Sequence, residues 1–504
     1  MQTSLPGQAA ETYAADVVVV GAGNAALTAA LAARESGASV LVLEAATEEL
    51  RGGNSRFSGA IFRIAHDGLD DLLPLVTEES RSWRDRVRVG PYSRERYLSD
   101  LDTVTGGQYD RELTDRVIDE SYDTVRWMHG HGVAWELTVG KLIDPDKIGP
   151  DEVYELPAGG AFRAEDEGVG LMANLFAAAE RAGVEVWYDA PVVDLLMDGS
   201  TCTGVLVRRP DGDVRVNGVV VLAGGGFEAN PELRQRWLGP GWDMVKVRGT
   251  RYNQGAPLTA AMRAGGQAYG HWGGCHAVPI DNAAPAVGDL RMTDKYSRYS
   301  YPYAVMVNSA GQRFVDEGED EVWLTYAKTG SAVRSQPGGW AVQIFDQKTV
   351  HLLEPRYSTG VPVEADSLDG LAGKLGLDPV ALQSTVDTFN AACPGGEFTA
   401  FGKDGLTARP DGQPVKSNWA QRIDEPPFVA YTVACGITFT FGGLRIDTDA
   451  RVLDITERPM PSLYATGELT GGFFYHNYPA GSGLVRGAVF GRIAGRNAAT
   501  AACQ

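Results

Sequence analysis

Residues 16–44 read Asp16-Val-Val-Val-Val20-Gly21-Ala-Gly23-Asn24-Ala25-Ala26, then an Ala/Leu run to Ser36, then Gly37, and finally Ser39-Val-Leu-Val-Leu-Glu44. Four consecutive valines predict a buried parallel strand, because both of its faces must be apolar. Gly21 permits a tight turn, Gly23 lets the backbone approach a pyrophosphate, and Ala26 takes the third small position, where helix meets strand. The helix starting at Asn24 and Ala25 aims free N–H groups and its positive dipole end at phosphates. Gly37 stops that helix in the left-handed region. Glu44 closes the second strand 21 residues after Gly23, where a carboxylate accepts from ribose hydroxyls. Strand, glycine turn, helix, strand and terminal acid together predict a dinucleotide-binding unit of an α/β fold.

Outward from this unit, Arg51-Gly-Gly53-Asn54-Ser55-Arg56-Phe-Ser-Gly59 suits a loop lying against a flat ligand. Leu113, Val117, Ser121, Val125 and Met128 recur at helical spacing up to Gly130, and a second helix is expected over 171–182. Strands are expected at 184–188, 192–197, 203–207, 214–217 and 219–222, a β-meander. It leads into a second glycine turn, Ala223-Gly224-Gly225-Gly226-Phe227. From about His276 to Cys435 the tidy alternation is lost. That stretch contains an aromatic cluster (Tyr296, Tyr299, Tyr301, Tyr303) and a hairpin signal at Val307–Phe314. We read it as an inserted domain. The resulting division is a tail over 1–15, the nucleotide-binding domain over 16–275 and 436–504, and the insertion over 276–435. The last helix, 484–499, carries small residues at Gly487, Ala488, Gly491 and Ala494, a face suited to close packing on the nucleotide-binding core.

Composition narrows the function. The chain has 504 residues and a formal charge of −20, which disfavours nucleic acid or an anionic membrane as partner. Its five cysteines lie far apart and form no CxxC, which excludes an iron–sulfur or dithiol motif and suits reduced thiols in the cytoplasm. Histidine and cysteine never cluster, so no metal site is expected. Residues 1–15 have neither the charge nor the apolar core of a signal peptide, and no membrane span is expected.

Taken jointly, the Gly53-Asn54-Ser55 loop, the Ala223–Phe227 turn, Val307-Asn308 with Arg313-Phe314, Gly467-Glu468 and Gly491–Gly495 resemble the fumarate reductase/succinate dehydrogenase flavoproteins. Arg51–Ser55, Thr105–Gln108, Arg248–Arg251, Asp316–Asp320 and Gly436–Phe441 look most like the FAD-dependent tricarballylate dehydrogenases. The resemblance implies a Rossmann-like FAD-binding domain of glutathione-reductase type with an inserted α+β substrate-capping domain. It implies FAD held by Gly21, Gly23, Asn24, Ala25, Ala26, Glu44, Gly53, Asn54, Ser55 and Val193. The second turn (Ala223, Gly224, Gly225) and the C-terminal part (Gly467, Glu468, Ser482, Gly483, Leu484) complete that set. Family members with covalent flavin carry a histidine after the paired glycines; the loop here runs Ser55-Arg-Phe-Ser-Gly, implying non-covalent FAD.

Departures from the family shape the chemistry. The arginine proton donor of fumarate reductases is missing from Gly318-Glu-Asp-Glu-Val-Trp323, and Thr438-Phe439 and Tyr478 stand where histidine and a substrate arginine are found. Tyr478-Pro479-Ala-Gly481-Ser482 instead resembles the Tyr-Pro segment of ketosteroid dehydrogenases. The expected reaction is therefore desaturation of a Cα–Cβ bond beside a carbonyl or carboxylate, with hydride passing to flavin. Tyr478 and the N–H of Ser482 are the expected carbonyl-polarising pair, and His276 binds substrate or exchanges a proton. The base is sought among Tyr299, Tyr301, Tyr303 and Tyr326, with Tyr303 and Tyr326 foremost. Arg56, Arg248 and Arg251 are candidates for a substrate carboxylate. The acidic run Asp316–Glu321 reads as a solvated turn. A tricarballylate-like polycarboxylate is the leading substrate class, a cyclic ketone or keto acid the second, and a non-catalytic flavin-binding protein the alternative of another kind. A disulfide reductase would need a CxxC and a second full fingerprint. Electrons must leave to oxygen, a quinone or a partner protein.

Overall fold

β1 (Thr12–Val20), α1 (Asn24–Glu35) and β2 (Val40–Leu43) form the unit that the opening stretch predicts. The computed structural model describes residues 12–139, 153–400 and 402–504. β1 and β2 pair in parallel from Val17 opposite Val40 to Val20 opposite Leu43. All four valines are buried, as an apolar run on both faces of a strand requires. β1 begins before the expected boundary: Thr12–Ala14 pair with Arg215–Asn217, so the tail stops short of residue 15, and its first eleven residues lie outside those described.

α2 (Arg111–Gly130) starts where the Asp110 carboxylate accepts from the Leu113 N–H at 3.1 Å and buries the predicted stripe from Leu113 to Met128. α3 (Glu167–Arg181) begins four residues before the predicted start. β3 (Glu185–Trp187), β4 (Val192–Asp198), β5 (Thr201–Arg209) and β6 (Gly212–Leu222) follow, with β4, β5 and β6 antiparallel in sequence. β6 is one strand where the pattern suggested two. Gly218, at φ +153°, carries it through a point where a Cβ would lie 2.2 Å from the Ala15 carbonyl oxygen.

The second sheet is built on one long strand. β7 (Lys246–Val247), β8 (Cys275–Asp281), β9 (Val305–Asn308), β10 (Trp340–Phe345) and β11 (Val363–Ala365) gather around β12 (Phe428–Thr440). All but β9 pair with β12 directly, and β9 joins through β10. The expected 435/436 boundary thus falls inside a strand, because β12 carries the cap sheet to the edge of the cofactor domain. α4 (Val322–Arg334) packs across β8. The acidic run before it is not a solvated turn: Glu317 is buried and ion-paired with Arg313, and Asp316 accepts from the Ser417 N–H at 3.0 Å.

β13 (Arg451–Leu453) and β14 (Pro459–Ala465) return the chain to the first sheet, giving the order β13-β14-β6-β1-β2-β3. α5 (Ser482–Ala502) closes the fold against α1 through the predicted small residues. A Cβ on Gly491 or Gly495 would lie 2.6 or 2.1 Å from the backbone oxygens of Ala25 or Ala29.

Candidate active site

The two glycine turns meet at the carboxyl ends of β1 and β6. Gly21, at φ +98°, sits so close to the second turn that a Cβ there would lie 2.6 Å from the Ala223 carbonyl oxygen. α1 then starts at Gly23 with no side-chain cap of its own, and the Asn24 N–H donates to Ser55 Oγ at 3.0 Å. Glu44, at the end of β2, is buried, and its Oε1 accepts from the Ala46 N–H at 2.8 Å. Burial pushes its carboxyl above the usual range, and backbone N–H groups partly offset this.

One cavity of about 470 Å³ runs from this end to the cap. Gly21, Gly23, Asn24, Ala25 and Glu44 line its outer part, and Gly53, Asn54 and Ser55 its middle. Ala223, Gly224 and Gly225 face them, with Gly467, Glu468, Gly483 and Leu484 completing the wall. Three residues of the expected set stand off the lining. Ala26 is buried behind the turn, as its packing role requires. Val192 lines the cavity in place of Val193, since successive residues of a strand point to opposite faces. Ser482 turns inward, its Oγ accepting from the Tyr97 hydroxyl at 3.2 Å. The lining fits an extended dinucleotide: glycine turns let a ligand reach the backbone beside the N-terminus of α1, and an acid stands at the end of β2.

The inner end of the cavity brings Arg248, His276, Tyr299, Tyr326 and Tyr478 together, and adds Asp294, Trp323 and Arg356. Asp294 accepts from Arg248 Nη1 at 2.8 Å on Oδ1 and from Arg356 Nη1 at 2.6 Å on Oδ2. Arg356 Nη2 also donates to Glu354 Oε2 at 2.7 Å, and its guanidinium lies 4.5 Å from the Tyr299 ring centre. The Nε–H groups of both arginines and the Tyr299 hydroxyl are buried without a protein partner. His276 stacks on Phe439 at 5.1 Å and meets the Tyr326 and Tyr478 rings edge-on at 4.9 and 5.1 Å. Burial, then the Arg248 charge, hold its imidazole well below the ordinary histidine range, so it is neutral. Its Nδ1 has no partner. Burial pushes Tyr299 up to about 12 and holds Tyr326 well above the ordinary tyrosine value, so both resting phenols are protonated.

Tyr478 sits in a braced loop. Arg63, paired with Asp100 at 2.7 Å, donates from Nε to the Ala480 carbonyl at 2.8 Å. The expected polarising pair is corrected by one residue: the Ser482 N–H donates to the Pro479 carbonyl at 3.3 Å, and the Gly483 N–H donates to the Tyr478 oxygen at 3.2 Å. Because that oxygen accepts from Gly483, the phenolic proton remains free to donate into the cavity.

Four expected residues are elsewhere. Tyr303 packs against Phe398 and Trp419 and donates to the Ala400 carbonyl, away from the cavity. Tyr301 is buried against Thr325. Arg56 folds back onto the Glu49 carbonyl at 2.6 Å, held by its own loop, and Arg251 is exposed. Asp294 and Arg356 carry no signal in the sequence because they stand in short 3₁₀ turns of the cap, Thr293–Tyr296 and Pro355–Thr359, with no motif around them.

The molecule was compared with known proteins. A cytochrome-type fumarate reductase of Shewanella frigidimarina is 30% identical over 96% of this chain and 77% of its own. The 4-oxocyclohexanecarboxylate 2-dehydrogenase of Sinomonas cyclohexanicum is 29% identical over 98% of this chain and 94% of its own. The 3-ketosteroid Δ1-dehydrogenase structure from Sterolibacterium denitrificans shares the fold, with TM-score 0.73, 22% identity and coverage of 97% of this chain and 100% of its own. Among the described residues no helix is long and apolar enough to cross a membrane, and no group of three His, Cys, Asp or Glu could hold a metal. The FAD binding domain family model matches residues 16–485, so the chain belongs to that family, the FAD-dependent oxidoreductases related to fumarate reductase.

Proposed function

We propose that this protein desaturates the Cα–Cβ bond of a small, ring-sized keto acid. The observation that carries the reading is the charge balance at the inner cavity. Two guanidiniums, Arg248 and Arg356, are already matched by two carboxylates, Asp294 and Glu354. A tricarballylate-like substrate would bring several negative charges to two arginines that carboxylates already match. One carboxylate is a better match, because it can accept from the two arginine Nε–H groups that the protein leaves unpaired. The remaining walls are aromatic (Tyr299, Trp323, Tyr326, Phe439) and suit a flat carbon skeleton. Thus the second substrate class of the sequence reading moves ahead of the first.

Bound FAD supplies the hydride acceptor for Cβ. Tyr478 donates to the substrate ketone and stabilises the enolate charge that grows as the α proton leaves, while the Gly483 N–H keeps the phenol aimed. A ketone makes that proton easier to remove than a carboxylate alone does, which suits a site whose phenols are fully protonated at rest. We assign proton removal to the adjoining pair His276 and Tyr326. His276 is neutral with a free nitrogen, and its ring meets Tyr326 edge-on at 4.9 Å. Arg248 and Arg356 orient the acid group. Trp323 and Phe439 exclude water. Free cysteines throughout suit a reducing cytoplasm.

The test is anaerobic bleaching of the bound flavin by three substrates: a cyclic keto acid, the matching ketone without its acid, and a tricarboxylate. Fastest bleaching by the keto acid supports the reading; fastest bleaching by the tricarboxylate overturns it.

A further inference from the structure

Glu228 follows directly on the second glycine turn, is fully buried, and plays no part in the steps above. Its Oε1 accepts from Asn54 Nδ2 and Asn253 Nδ2, each at 2.6 Å. Both asparagines line the cofactor cavity, and so does Glu468. Asn253 Nδ2 also reaches Glu468 Oε2 at 3.4 Å, so two carboxyl groups converge on one amide. The other Glu468 oxygen accepts from the Thr440 N–H at 2.9 Å. Glu228 Oε2 is buried and has no donor.

Among the described residues no cation bonds to that oxygen. Arg234, on the helix that follows at Pro231–Leu238, spends its guanidinium on the backbone carbonyls of Glu228, Trp242, Asp243 and Val245. Arg486 lies on the Glu468 side and donates to the Thr470 carbonyl at 3.3 Å. The thiols of Cys275 and Cys435, on the strands packed behind, are held protonated by burial. Two adjoining buried carboxylates with one orphan oxygen would be strongly unfavourable, and a single proton on that oxygen resolves both faults, turning an unmatched acceptor into a donor.

We propose that Glu228 is a positioning residue for the cofactor: as a neutral acid it donates from Oε2 to Glu468 and accepts from Asn54 and Asn253 at Oε1, locking three cavity-lining side chains. The proposal rests on FAD occupying the cavity and is independent of the substrate. Burial and then the Glu468 charge hold the Glu228 carboxyl well above its ordinary value. The lock is therefore fully present below the ordinary glutamate range and is lost as pH rises through the elevated value, when two anions face each other beside the cofactor.

The experiment measures FAD affinity of the full chain by flavin fluorescence between about pH 6 and pH 10. It is paired with difference infrared spectra of the neutral carboxyl band. Wild type should lose about tenfold or more in affinity toward the alkaline end, as expected when a buried group is left unmatched. Glu228→Gln supplies an N–H to Glu468 and an oxygen to the asparagines, so it should keep the neutral-pH affinity within about threefold and flatten the profile. It should also remove the infrared band. Glu228→Leu should weaken FAD by about tenfold or more at every pH. A Gln variant with the wild-type pH profile, or with its infrared band intact, overturns the proposal. If the Leu variant fails to fold, the Gln profile and the band decide alone.

Discussion

Replacing Tyr478 by Phe tests the carbonyl-polarising role most directly. The hydroxyl makes one protein hydrogen bond, from the Gly483 N–H at 3.2 Å, and its own proton is free for substrate. Two losses follow and they appear in different measurements. The Gly483 N–H, in the first turn of α5, loses its acceptor, which costs about 1–3 kcal/mol of stability when no water replaces it. In the reaction, one preorganised donor to a developing oxyanion is lost, worth about 100- to 1,000-fold in kcat. The phenol contributes little to ground-state binding, since Arg248 and Arg356 hold the acid group, so KM should change by less than about threefold. Single-turnover bleaching of the bound flavin by the keto acid, followed by stopped-flow, measures the chemical step without interference from the electron acceptor. A Phe variant that folds, retains FAD and bleaches within about threefold of wild type would refute the assignment. A variant whose KM rises while kcat is unchanged would refute it too, because the hydroxyl would then bind substrate and transition state equally.

Arg356→Gln should raise KM for an acid substrate by about tenfold or more, yet leave the neutral ketone little changed, because one of the two guanidiniums on Asp294 is removed. Paired steady-state assays separate these effects. Gly495→Val should lower the melting temperature sharply or prevent FAD retention, since its Cβ would sit 2.1 Å from the backbone oxygen of Ala29 and backbone cannot turn aside. Gly130→Ala, at the end of α2 with nothing near its Cβ, is the tolerated control in the same thermal melts. His276 is held neutral, so its contribution to stability is present above the ordinary histidine value of 6.5 and is lost as pH falls through the lowered one. His276→Asn should flatten that acid limb of the melting temperature against pH. In wild type the activity profile should show no histidine step near 6.5.

The parts of this molecule that were legible in the sequence are those whose chemistry is local. Gly21, Gly23, Ala26 and Glu44 belong to one strand–turn–helix–strand unit, whose spacing is visible in the sequence. The small face of α5 showed in its own periodicity, and α1 is where it closes. Single-residue slips came from elements whose direction changes at every step. Val192 and Val193 face opposite sides of β4, and the N–H beside Tyr478 belongs to Gly483 because Ser482 is already bonded across the turn to Pro479. The tyrosines make the point most clearly. Tyr299, Tyr301 and Tyr303 are the same residue type two positions apart. The 3₁₀ turn at Tyr301–Tyr303 sends the first to the cavity, the second to Thr325 and the third to Trp419. Asp294 and Arg356 lie 62 residues apart, in two short 3₁₀ turns, and meet only in the folded chain. The charges around Asp294 are thus a tertiary product, whereas the first glycine turn and Glu44 belong to one local unit. A fold with that division can keep one cofactor cradle and change its substrate by redrawing the cap, which is why the charge balance around Asp294 carries more information about the substrate than any motif in the chain.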